Sequence, residues 1–155
     1  MPLVTFDMRT ALPPERVLAM LTDFSPRRPE LWPTLAPELY EIYEIQPTCA
    51  DVKEGSPPPT RMWERAQYDW SVPGRVRWTV RKSNFFAPGS YTEVTVKMSN
   101  EVGSELYVES NRTGVGLAAK ILIGLNVLTG GAILKAAVFR RAFDQEVRRR
   151  SASAI

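Results

Sequence analysis

The chain has no histidine, and that absence narrows its chemistry more than anything present. Without an imidazole there is no Ser-His-Asp triad, no Cys-His pair, no histidine general base and no histidine metal ligand. A single cysteine, Cys49, excludes an internal disulfide and a cysteine-built zinc site, and its thiol has no histidine to activate it. No phosphate loop, metal-ligand cluster or paired-carboxylate spacing stands out, so neither a metal nor a cofactor is expected. Charge of one sign is also scarce: 20 basic against 17 acidic residues leave +3. The basic cluster Arg148-Arg149-Arg150 reads as a solvated helix end facing the negative pole of its dipole, not as a nucleic-acid surface. Met1 to Arg9 lacks a basic region followed by an apolar run, so no signal peptide is apparent and a cytoplasmic protein is expected. The longest stretch without a charge, Ile121 to Leu134, falls short of the roughly 18 to 20 residues that cross a bilayer. Extending it back to Val115 brings in Lys120, which sits badly in lipid.

What is present is a soluble-type composition, 44% hydrophobic and 24% charged over 155 residues. That length suits one domain, taken as residues 1–150, with 151–155 as a disordered tail. The organising stretch is the last third. From Ile121 to Leu134 the pattern is apolar on every side, and a helix of that kind needs cover from protein, lipid or ligand all round. After Gly130-Gly131, a pair that permits a kink, the pattern becomes one-sided. Ala132, Ala136, Phe139, Phe143 and Val147 form the stripe, while Lys135, Arg140, Arg141, Asp144 and Arg148 fall away from it.

Upstream, Leu3 to Thr10 alternates as a strand, and Pro13-Pro14-Glu15 starts a helix with Val17, Leu21 and Phe24 buried. Arg28 to Ala36 is expected to form a second short, irregular helix. From Leu39 onward the texture is all strand: Leu39 to Gln46, Cys49 to Glu54, Arg61 to Trp70, Arg75 to Phe85, Tyr91 to Met98 and Glu105 to Arg112. Short turns such as Val72-Pro73-Gly74 and Pro88-Gly89 separate the later ones. The order is strand, two helices, meander, long helix: an α+β arrangement whose apolar sheet face needs the C-terminal helix as a lid.

That order resembles the START/polyketide-cyclase-like (SRPBCC) superfamily, the helix-grip fold. The resemblance covers nearly the whole chain. It rests on Pro13-Pro14-Glu15-Arg16-Val17, Trp32-Pro33, Trp63-Glu64-Arg65 with Tyr68-Asp69-Trp70-Ser71, Ser83-Asn84, Pro88-Gly89-Ser90 and the final helix. It implies a curved antiparallel sheet of about six to seven strands wrapped around a long C-terminal helix, with two short helices after the first strand. It also implies a mostly apolar cavity between sheet and helix. The function expected is binding, and through it transport or sequestration, of a hydrophobic small molecule such as a lipid, isoprenoid or polyketide-like compound. Two alternatives stand beside it: a cyclase/aromatase-type enzyme acting on a polyketide-like substrate, and a protein- or membrane-interaction module using the run 121–134. Fold alone does not choose among them.

Strand parity nominates the polar wall. Glu64 and Tyr68 share a face with Met62 and Ala66; Ser110 and Arg112 share one with Leu106 and Val108; Trp70 and Trp78 have the same inward parity. If these faces are concave, Glu64 and Arg112 form a buried ion pair or grip opposite ends of a polar ligand group. Tyr68 is the candidate phenol acid of the enzyme reading. Leu125 and Gly130 complete the candidate binding set from the helical side, Gly130 as the hinge of a lid. The partner expected is a hydrophobic small molecule, with no nucleic acid, peripheral membrane contact as a secondary option, and a monomer or homodimer.

Overall fold

Seven strands form one antiparallel sheet: β1 (Leu3–Thr10), β2 (Glu41–Ile45), β3 (Cys49–Gly55), β4 (Trp63–Asp69), β5 (Arg75–Ser83), β6 (Tyr91–Met98) and β7 (Ser104–Asn111). Their spatial order is β1-β7-β6-β5-β4-β3-β2, so the meander from β2 to β7 is unbroken and β1 pairs with β7 from Leu3↔Asn111 to Thr10↔Ser104. The computed structural model describes residues 3–99, 102–128 and 130–154. Consecutive strands β1 and β2 are therefore the two edges. The chain crosses between them through α1 (Pro14–Leu21) and the single-turn α2 (Arg28–Leu31), the two short helices expected from the proline-punctuated sequence.

Alternation decides which face is buried. Val76 and Val80 of β5, Val94 and Val96 of β6, and Leu106 and Val108 of β7 are buried on the concave side. An extra residue in β5, Arg81, breaks its register with β4: Glu64 pairs Ser83 while Ala66 pairs Val80. Because the bulge lies in β5, the parity of β4 is intact and Glu64 stays on the face of Ala66 and Tyr68. The edge strand β2 is exposed along its length, unlike the rest of the sheet.

The last third is two helices. α3 (Gly116–Leu128) and α4 (Gly131–Ser153) meet at 79°, with Gly130 at the joint in the left-handed region at φ 92°. Close packing there needs glycine: a Cβ on Gly131 would lie 2.7 Å from the backbone oxygen of Asn126. The distal half of α4 grips the sheet as the stripe predicts. Phe139 lies 6.1 Å from Phe6 and 5.6 Å from Trp32, and Phe143 5.9 Å from Trp32, in tilted or edge-on contacts. Arg16 of α1 locks this half with bonds of 2.9 and 2.6 Å to the buried Glu146.

Three expectations need correction. Residues 151–153 are helical, not a tail: nothing after Glu146 breaks a helix, and the hydroxyls of Ser151 and Ser153 donate to the carbonyls of Val147 and Arg149. The run 121–134 is not covered on all sides. Leu128 is 83% and Ile133 76% exposed, and Ala119 is the one buried residue among the described ones of α3. Lys135 does not fall away from the sheet, for it sits four residues before Phe139 and shares its inward face. No helix among the described residues is long and apolar enough to cross a membrane alone.

Candidate functional site

The 79° bend holds the start of α4 and all of α3 away from the sheet, and a cavity of about 640 Å³ lies between them. Val4 of β1 and Phe85 and Phe86, just past β5, form its apolar sheet-side wall. Leu122 and Ile123 of α3 and Leu134 and Val138 of α4 close the helical side. The polar groups gather at the β7–α4 seam, where Ser110, Arg112 and Lys135 line the cavity. An apolar wall with a few convergent polar groups, at a volume within the roughly 300–1,000 Å³ of small-molecule sites, has the form of a ligand site.

Arg112 follows the last residue of β7 and folds back over the concave face. It makes a bidentate pair with Glu64, Nη1 to Oε2 and Nη2 to Oε1 at 3.1 Å, and donates from Nε to Thr92 Oγ1 at 3.1 Å. Its guanidinium also lies over the Phe86 ring, 4.7 Å from the centroid. Burial works against its charge, but the Glu64 carboxylate outweighs burial and holds the guanidinium above its ordinary range. Thr92 and Ser110 share a hydrogen bond of 3.0 Å, and Ser110 Oγ accepts from the Lys135 ammonium. Burial pulls the Lys135 pKa down to about 8; the Arg112 charge adds to the fall and Glu64 opposes it.

A second polar cluster lies deeper on the same face. Arg28 of α2 is 4% exposed and donates from Nε to Glu54 Oε1 at 2.6 Å, from Nη1 to the carbonyls of Leu21 and Asp23, and from Nη2 to Tyr68 at 3.4 Å. The Tyr68 hydroxyl donates to Glu54 Oε2 at 3.1 Å. Phe24, Tyr68, Trp70 and Trp78 stack around this pair, with centroid separations from 4.9 to 5.8 Å. Burial, with the Glu54 charge behind it, pushes the Tyr68 phenol well above its ordinary value. Glu54 and Glu64 are cross-strand partners, each matched to its own arginine.

The candidates from the sequence therefore separate. Ser110 and Arg112 line the cavity, and Glu64 stands behind Arg112 as its counter-ion. Tyr68, Trp70 and Trp78 are on the expected face but belong to the Arg28–Glu54 cluster, Tyr68 stacked on Trp78 and Trp70 on Phe24. Leu125 is 51% exposed, because Leu122, Ile123 and Asn126 take the cavity side of α3. Gly130 is the joint of the helices, and Gly131 lines the cavity in its place. Lys135 and Arg28 escaped the sequence reading. Lys135 carried a signal in its spacing from Phe139; Arg28 sits in a proline-broken turn with no periodicity to read.

No family model matches the sequence, and no curated protein sequence does. Solved structures do match. The Zhui aromatase/cyclase from Streptomyces sp. R1128 superposes with a TM-score of 0.70 at 13% identity, covering 90% of this chain and 92% of its own. Truncated norcoclaurine synthase from Thalictrum flavum gives 0.68 at 10% identity, with 94% and 92% covered. A START superfamily protein from Mycobacterium smegmatis gives 0.61 at 11%, with 89% and 97% covered. With seven antiparallel strands gripping α4 and these matches spanning nine-tenths of its length, the chain has the helix-grip fold of START and polyketide-cyclase-like proteins.

Proposed function

We propose that the protein binds a hydrophobic small molecule, of lipid, isoprenoid or polyketide-like character, in the cavity between the sheet and α3–α4. The observation that carries this reading is the cavity itself: about 640 Å³, walled by Phe85, Phe86, Leu122, Ile123, Leu134 and Val138, with its charged groups, Arg112 and Lys135, together at one seam. Burying ligand surface there supplies about 25 cal/mol per Å², and the polar seam fixes orientation. α3 serves as the lid, with Gly130 and Gly131 as its hinge. Native mass spectrometry of the purified protein, followed by solvent extraction, tests the reading. A stoichiometric apolar compound supports it; failure of every apolar probe to bind refutes it.

A cyclase/aromatase-type activity is the second reading. It draws on the likeness in fold to an aromatase/cyclase and to norcoclaurine synthase, and on the cations Arg112 and Lys135, which suit an enolate in an apolar site. Tyr68 does not serve it, since its hydroxyl is held by Arg28 and Glu54 and it does not line the cavity. Turnover of a polyketide-like ketone that is lost in an Arg112 variant would favour this reading. The exposed residues Leu117, Leu128 and Ile133 favour a third, contact with a membrane surface or partner, which vesicle co-sedimentation would test.

A further inference from the structure

Among the described residues, the two polar clusters on the concave face bring together three cations, Arg28, Arg112 and Lys135, and two carboxylates, Glu54 and Glu64. Both carboxylates are spoken for. Glu54 is engaged by Arg28 and Tyr68, and Glu64 is bidentate to Arg112. Lys135 makes no salt bridge with any described residue, and its hydrogen bond runs to the neutral hydroxyl of Ser110. Among the described residues the other side of the cavity offers no anion either, since the polar group of α3 that lines it is Asn126. A half-buried ammonium thus projects from α4 into an apolar chamber with its counter-charge missing.

We infer that the ligand carries a single anionic head, of the carboxylate class, that pairs with Lys135 while its apolar body fills the cavity. The inference rests on the binding reading above and deepens it. Removing one charge from water without a partner is costly, and an incoming carboxylate offsets that cost for the lysine and for itself. Arg112 cannot substitute, because its fork is already filled by Glu64. It holds positive potential beside the head and favours an anion further. The low pKa of Lys135 agrees with this, since the groups facing it are Arg112, which depresses it, and Glu64, which only partly compensates.

The test uses three probes on the intact protein at pH 7. N-phenyl-1-naphthylamine, neutral and fluorescent in apolar sites, reports whether the cavity binds at all. Dodecanoate and dodecan-1-ol then compete for it, matched in chain and different in head. Wild type is expected to prefer dodecanoate by roughly tenfold or more, the worth of a charge-assisted hydrogen bond. K135M should bring the two within about threefold, and K135R should restore the preference by keeping the charge. Calorimetry at pH 9 in two buffers should show dodecanoate binding with uptake of a proton, because pairing re-protonates Lys135. If the dye binds and the two competitors are equal, or if the preference survives K135M, the anionic-head inference is overturned and apolar binding stands. If neither the dye nor either competitor binds, the binding reading falls and the inference with it.

Discussion

Arg28 is the side chain whose loss should cost the fold most. It is 4% exposed, pairs with Glu54 at 2.6 Å, satisfies the carbonyls of Leu21 and Asp23 at 3.2 and 3.0 Å, and lies 4.5 Å from the Phe24 ring centroid. Arg28→Ala removes all of these together. Glu54, whose side chain is 13% exposed, is left as a buried carboxylate opposite Glu64, its cross-strand partner. Removing one member of a buried pair costs about 3–5 kcal/mol. At about 2–4 °C per kcal/mol for a chain of this size, the melting temperature should fall by roughly 6–20 °C. The assay is urea and thermal unfolding followed by circular dichroism. A cycle isolates the charge term: Arg28→Met with Glu54→Leu should recover at least half of the loss, because no unpaired carboxylate remains. The reasoning is refuted if Arg28→Ala costs under about 1 kcal/mol, or if the double variant is no more stable than Arg28→Met alone.

Lys135→Met should stabilise the ligand-free protein at pH 7. A lysine whose folded pKa, about 8, lies below its ordinary 10.5 costs stability while protonated, so the wild-type protein is progressively destabilised as pH falls from about 10.5 to about 8, and the penalty stays constant below that. The difference between the two proteins, on the order of 3 kcal/mol at most, should vanish above pH 10.5 in unfolding titrations. Gly131→Ala should displace α3 without unfolding the sheet, since its Cβ would meet Asn126 backbone oxygen at 2.7 Å. Limited proteolysis should then cut within 116–128 at least several-fold faster; unchanged protection would show that the bend does not depend on that close approach. On the convex face, Asp51 accepts two bonds from Arg65, at 2.8 and 2.7 Å, which hold its carboxyl below the usual range. Asp51→Asn should cost about 1 kcal/mol at neutral pH. That penalty should shrink as pH falls below the unfolded carboxylate pKa of about 4 and disappear once wild-type Asp51 is itself protonated.

The sheet was legible because its rule is local. Period-two alternation placed Glu64 with Ala66 and Tyr68, and Ser110 with Leu106 and Val108, and the Glu64–Arg112 contact followed from parity across 48 positions of sequence. The bulge at Arg81 did not spoil this, because it inserts into the neighbouring strand. The helical side was harder. An all-round apolar pattern states that cover is wanted and not where it comes from, so α3 could not be assigned one side to the cavity and another to solvent. Lys135 falls off the stripe of Ala132, Ala136, Phe139 and Phe143, yet its spacing of four from Phe139 puts it inward. Glu146, three residues beyond Phe143, is buried on the same face for the same reason and meets Arg16 there. Arg28 depends on contacts with β3 and β4, which no local pattern encodes.

The pairing of β1 with β7 has a consequence for biosynthesis. Leu3 meets Asn111, so an edge of the sheet joins residues more than a hundred positions apart, whereas every other strand pairs with its immediate successor. At about 5–20 residues per second of translation, β1 waits roughly 5–20 s for its partner to leave the ribosome. During that interval Val4 and Met8, core residues of the finished protein, have nothing of their own sheet to rest on. High sequence separation of this kind also slows closure once synthesis ends. The nascent N-terminal strand is thus the segment on which a chaperone would act earliest and longest.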